Sequence, residues 1–277
     1  MNPPRPVLRP LLVIGILSLA VVSCGGRDGS GGGTQAAPAT SAPAPATSAP
    51  ARKDPGAVID PGDGGNYAPT IDPANLVAVI DNPYLPLLPG ARWRYEGRID
   101  GEPENVEVVV TSRRRQIMGI SAVVVTDKVF DPDGNPIEIT SDWFAQDRQG
   151  NVWYLGEDTK EYENGKVSST TGSWETGKDG ALPGIAMPAA PAIGHAYRQE
   201  YYKGEAEDMA EIASTGQTAT TAAKRYDQVV VIKEWTPLEP KVIEDKSYAP
   251  GVGMVLQVHE AGGVGRVELV DFTPGKG

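Results

Sequence analysis

Few residues in this chain combine a type and a spacing that could do chemistry. Asp131-Pro132-Asp133-Gly134-Asn135 has the composition of a calcium loop. An EF-hand, however, needs Gly at its sixth position and Glu at its twelfth. Counted from Asp131, those places hold Pro136 and Asp142, so the stretch reads as a hairpin turn. A denser acidic group spans Glu200, Glu205, Glu207, Asp208 and Glu211, with Lys203 inside it. Glu205, Glu207 and Asp208 are a candidate calcium site, because clustered carboxylate oxygens suit that ion; the competing reading is a solvated strand face. The two histidines, His195 and His259, are far apart. Glu260 follows His259, but the His-Glu-x-x-His zinc motif would need His at 263, which is Gly. There is no Gly-x-Ser-x-Gly elbow. Gly251-Val252-Gly253 lacks the third glycine and the following helix of a phosphate loop. Nothing selects a carboxylate pair for hydrolysis, so the expectation is a non-enzyme without cofactor or metal.

The aromatics offer a different chemistry. Trp143, Trp153, Tyr154, Tyr162 and Trp174 fall within one short stretch. In a twisted sheet some of them would share a face, and a concave face lined by them would suit an apolar or amphipathic small molecule. The alternative is core packing, since Trp and Tyr dominate burial in β domains.

The chain holds one cysteine, Cys24. It rules out an internal disulfide and a cysteine nucleophile in the domain. It follows an N-terminal stretch with Arg5, Arg9 and no acid, then the apolar run Leu11 to Val22. That layout is a secretory signal peptide, expected over residues 1–23, and the run is too short to span a bilayer. Val21-Val22-Ser23-Cys24 resembles the bacterial lipobox, with Val21 where Leu is commonest. The resemblance implies cleavage before Cys24 and a lipid on its sulfur. The protein is then expected outside the cytoplasm, anchored to the cell membrane.

Residues 24–67 are rich in Gly, Ala, Pro and Ser. Such a segment cannot recover its ordering entropy by burial. It is expected to act as a tether with a reach of roughly 40 Å when coil-like. The whole chain carries a net charge of −11, and losing Arg5 and Arg9 with the signal would make it more acidic. A basic face is the footprint of nucleic-acid binding. Arg113-Arg114-Arg115 is isolated and reads as a solvated strand end, so no nucleic-acid partner is expected. The membrane contact would come from the lipid.

Residues 68–277 read as one β domain. Arg92-Trp93-Arg94-Tyr95-Glu96 alternates aromatic with charged residues, the period of a half-buried strand. Asn105 to Thr111 and Ser121 to Val129 are β-branched runs, Ile137 to Trp143 alternates again, and Val152 to Leu155 is short and aromatic. Val229 to Ile232, Val252 to Val258 and Arg266 to Leu269 continue the set. Asp133-Gly134, Gln149-Gly150-Asn151 and Asn164-Gly165 lie between strand candidates, as hairpin turns require. Thr236 to Pro240 and Ala249-Pro250-Gly251 read as connections. Glu205 to Ala213 fits a helix or a strand, and its β-like neighbours favour strand. Ala181 to Gly194, with three prolines and no charge, is expected to be a loop lying across the sheet. The expected fold is all-β: a strongly curved antiparallel meander of about nine to eleven strands, partly or fully closed into a barrel.

Asp81-Asn82-Pro83-Tyr84-Leu85-Pro86-Leu87-Leu88-Pro89-Gly90, with Trp93 and Tyr95, resembles the opening segment of a family of bacterial secreted proteins. Asp142 to Asp147, Gly150 to Tyr154 and Tyr248 to Gly253 are similar to later segments of that family. The resemblance supports a single domain beginning near residue 70 and carries no activity. Two functions stay open: a ligand-binding lipoprotein of the cell envelope, and a structural or interaction lipoprotein with a filled core. A hydrolase using carboxylates is a weaker third.

Overall fold

The computed structural model describes residues 67–276. The expected signal segment, Cys24 and nearly all of the tether lie outside the described residues. After a 3-10 turn at Pro73–Asn75 come short pieces β1 (Leu76–Val77), β2 (Asp81–Asn82) and β3 (Leu85–Pro86). A first meander follows: β4 (Arg92–Ile99), β5 (Glu102–Ile117), β6 (Ile120–Phe130), β7 (Pro136–Asp147) and β8 (Val152–Glu163). Four short strands come next: β9 (Lys166–Ser169), β10 (Trp174–Glu175), β11 (Gly184–Met187) and β12 (Ala196–Arg198). The second meander is β13 (Met209–Thr220), β14 (Arg225–Trp235), β15 (Ile243–Ala249), β16 (Gly253–Ala261) and β17 (Gly265–Thr273).

Fifteen of these strands form one antiparallel sheet. Its spine runs β8-β7-β6-β5-β4-β17-β16-β15-β14-β13-β12. The two meanders are therefore joined where β4 pairs with β17. The expected count of strands corresponds to the ten long ones. Asn164-Gly165 forms the expected tight turn, with φ of 52° and 71°, as a type I′ hairpin demands. Asp100-Gly101 and Met118-Gly119 have the same backbone signature, and neither was evident beforehand. The ambiguous stretch from Glu205 is a turn leading into β13, a strand.

Curvature brings the two ends of the sheet together at a seam. β11 pairs with β8, and beside it Leu182 N donates to Tyr201 O at 2.8 Å in an isolated bridge. Only this bridge crosses to the β12 side as a ladder contact among the described residues, so the barrel is closed in part. The seam corrects the expected loop at Ala181 to Gly194. Pro183 and Pro188 bracket the run Gly184–Met187, whose four residues are all buried. A buried backbone must place its N–H and C=O groups, and the edge of β8 supplies the partners. Tyr67 seals the same seam: its hydroxyl donates to Pro183 O at 2.6 Å, and its ring meets Tyr201 edge-on at 5.5 Å.

Inside lies an apolar plug of Trp93, Tyr95, Val106, Val108, Val125, Phe144, Ile232 and Tyr248, each nearly fully buried. Each large apolar side chain there contributes roughly 1.5–3 kcal/mol. Ile80, Leu85 and Leu87 from the N-terminal pieces belong to the same core.

Gly184 tests the seam. A Cβ there would overlap the Gln199 carbonyl, so Gly184→Ala must push β11 away from β12. The expected loss is about 1–3 kcal/mol, read as a drop of roughly 2–4 °C in Tm per kcal/mol. Unchanged thermal and urea midpoints would show that the seam is loosely held.

Candidate functional site

The alternation in β7 is real, and its polar residues face inward. Glu138, Thr140 and Asp142 are at most 1% exposed, whereas Ile137 and Ile139 are half-buried. Register carries the inward row across the sheet. Asp127 sits opposite Thr140 and Thr140 opposite Thr159, and the two threonine hydroxyls meet at 3.1 Å. On β8 the spacing changes. Asp142 pairs with Glu157 and Phe144 with Tyr154, so β8 carries one extra residue between these pairs. Gly156, at φ 125°, lies in this bulge, so Tyr154 and Glu157 both face inward.

The consequence is a shared proton. Tyr154 Oη lies 2.8 Å from Asp142 Oδ1 and 2.8 Å from Glu157 Oε2. A phenol has one hydrogen to donate. The other contact is favourable when a protonated carboxyl donates to the phenol oxygen. Burial first, and then Glu157, pushes the Asp142 carboxyl well above the usual range. Asp127 is raised in the same direction by burial and then by Asp142, Glu138 and Glu104. Glu200 is raised by burial and then by Asp208. Glu138 is pushed up to about 9, chiefly by burial and Glu157; burial takes Glu104 to about 7. Paired carboxyl groups at short separation are the tools of glycoside hydrolysis. Asp142 and Glu157, however, are 0% and 3% exposed, sealed from any substrate in this conformation.

The opposite wall holds the compensating cation. Lys246 Nζ lies 2.6 Å from Glu234 Oε2 and 3.9 Å from Glu244 Oε2. Gln199 Nε2 donates to Glu234 Oε1 at 3.0 Å. Burial pulls the Lys246 ammonium down, but Glu234 and Glu244 outweigh it and hold it above its ordinary value. Cross-strand pairing sets Glu234, Glu244 and His259 side by side on β14, β15 and β16.

His259 is where this polar file reaches the surface. It lines a cleft of about 360 Å³ with Asp100, Glu239, Pro240, Lys241, Val242 and Gly262. Three connections build the cleft: the β4–β5 turn, the β14–β15 connection and the β16–β17 turn. The imidazole is 3% exposed, and its Nε2 lies 2.8 Å from Glu244 Oε1. That contact has ion-pair distance without hydrogen-bond alignment, and neither ring nitrogen has a hydrogen-bond partner among the described residues. A Cβ at Gly265 would come within 2.9 Å of the ring, and one at Gly263 within 3.2 Å of Nδ1 and 3.1 Å of Asp100 Oδ1. Small residues thus let the turn lie on the imidazole. Asp100 ties the two turns together: its N–H donates to Val264 O at 2.7 Å, and its Oδ1 accepts from Val264 N at 2.9 Å.

The five aromatics noted in the sequence are buried or half-buried elsewhere. Trp143 lies under the Arg115 guanidinium at 4.0 Å, which in turn pairs with Glu175. Trp153 Nε1 donates to Asp147 Oδ2 at 3.0 Å. Tyr154 stacks on Phe144 at 4.9 Å and meets Trp174 edge-on at 5.4 Å. Tyr162 is half-buried on β8, opposite Val167. None of the five lines the cleft. Of the calcium candidates, Glu205 is exposed, Glu207 accepts from Gly204 N at 2.7 Å, and Asp208 is buried. Among the described residues no three His, Cys, Asp or Glu side chains are placed to hold a metal. Sequence reasoning missed Asp100, Glu239 and Lys241 as a group. Two separate connections contribute them, Asp100 from one and Glu239 and Lys241 from the other, and no spacing rule joins these.

Glu138 gives a pH test. Its folded value near 9 lies above its ordinary 4.5. Its contribution is therefore complete below about pH 4.5 and is lost as pH rises toward 9. Glu138→Gln removes that loss while keeping the Thr140 partner. The variant should gain on wild type by at most about 1.4 kcal/mol per pH unit across this window. Urea melts at pH 5 and pH 8 measure it; parallel pH profiles would contradict the assignment.

No family model matches the chain, and no curated protein matches it. Among solved structures it is similar to the crystal structure of a protein from Parabacteroides distasonis ATCC 8503, described provisionally as a lipoprotein. The identity is 13%, the TM-score 0.37, and the match covers 71% of this chain and 100% of that one.

Proposed function

We propose that this is a ligand-binding lipoprotein of the cell envelope, tethered through lipid on Cys24, whose ligand sits in the cleft over His259. The observation that carries the reading is the histidine itself. Leaving a buried polar group without a hydrogen bond costs about 1–3 kcal/mol. Here such a group lines an open cleft of about 360 Å³, within the size range of small-molecule sites. Pro240 and Val242 give the cleft apolar surface, and Asp100, Glu239 and Lys241 give it charge. That mixture suits an amphipathic ligand. The proposed site is thus a rim cleft, away from the aromatic residues of the concave sheet.

One observation favours the alternative of a structural or interaction protein: the stacked Phe144, Tyr154 and Trp174 fill the interior that a ligand would need. Native mass spectrometry of protein isolated from its own membranes separates the two. Val242→Trp fills the cleft. Wild type should carry a small-molecule adduct that Val242→Trp lacks. An adduct retained by the variant would move the site elsewhere. A wild type that is always bare would favour the interaction protein.

A further inference from the structure

We infer that the ligand of the His259 cleft is a zwitterion of amino-acid or short-peptide size with an apolar side chain. The inference rests on the cleft being the binding site. Its argument is the charge pattern of the walls. Asp100 and Glu239 bring two carboxylates, Lys241 one ammonium, and Pro240 and Val242 an apolar surface, all within one cleft of about 360 Å³. A simple carboxylic acid entering it would meet Lys241 but also two like charges. A simple amine would satisfy the carboxylates and oppose Lys241. A neutral apolar molecule would strip water from all three charges and return nothing, which is costly. Only a ligand with both charges and an apolar body answers each wall.

The geometry also sets where each part goes. The Asp100 carboxylate and His259 Nδ1 flank Gly263, so a methyl there would lie 3.1 Å from one and 3.2 Å from the other. The ammonium of the ligand belongs on this side, beside Asp100. Its carboxylate belongs to Lys241. Its side chain lies on Pro240 and Val242. A small cleft of this volume excludes long chains.

Three probes share one hydrocarbon body: leucine, isoamylamine without the carboxylate, and isocaproate without the ammonium. The chain has two histidines, so in full-length protein the imidazole signals are assigned with His195→Gln. Leucine should shift the His259 resonances saturably, and each single-charge probe should bind at least about tenfold more weakly. Lys241→Met should bring leucine down to the level of isoamylamine, and Val242→Trp should abolish every shift. Isoamylamine or isocaproate binding as tightly as leucine would overturn the zwitterion, as would no saturable shift with any probe. The cleft itself is judged separately, by the adduct that Val242→Trp removes.

Discussion

A sheet rolled this far has one inside, and every side chain that points there must find its partners there. That constraint governs the rest of the structure. Apolar residues meet it by packing, as Trp93, Phe144 and Ile232 do. The carboxyl groups of Asp127, Glu138, Asp142 and Glu200 meet it by keeping their protons, since burial raises each of them. An ionised carboxylate alone in such a place would be far more costly than a neutral acid. The Asp142–Tyr154–Glu157 arrangement follows directly, because a phenol between two acids is satisfied only when one of them is protonated.

Lys246 solves the same problem in the opposite way. It brings a charge inside and makes Glu234 and Glu244 its partners. Even so, burial leaves Glu234 above its ordinary value. A buried pair of this kind adds little net stability, but losing one member would leave the other uncompensated. The pair also has an address. Cross-strand register places Glu244 beside His259, so the buried charges end at the floor of the cleft. The cleft is therefore the outer end of the polar part of the interior, with the Glu244 carboxylate 2.8 Å behind its histidine.

Much of the fold was legible. Runs such as Asn105 to Thr111 announce strands, and Asn164-Gly165 announces a turn because few other pairs tolerate two positive φ angles. What alternation cannot say is which face is inside. In Ile137 to Trp143 closure of the sheet buried Glu138, Thr140 and Asp142 and left Ile137 and Ile139 half-buried. The strand at Gly184–Met187 was hidden for another reason. Its local signals, prolines and small residues, are those of a loop, and only the bare edge of β8 makes it a strand. The cleft was the least legible of all. His259 stood out as a residue type, but its neighbours come from two connections far apart in the chain, Asp100 from one and Glu239 and Lys241 from the other.

The glycines around His259 explain why so few side chains define that cleft. Gly262 lies against the Lys241 backbone, Gly263 between Asp100 and the imidazole, and Gly265 on the ring itself. Any side chain at these places would push two turns apart or press on the imidazole. The turn beside the imidazole thus approaches as bare backbone, held by the Asp100–Val264 hydrogen bonds and by the β4–β17 pairing below it. Backbone walls set shape and carry no net charge. The charged residues among the lining, Asp100, Glu239 and Lys241, are of both signs.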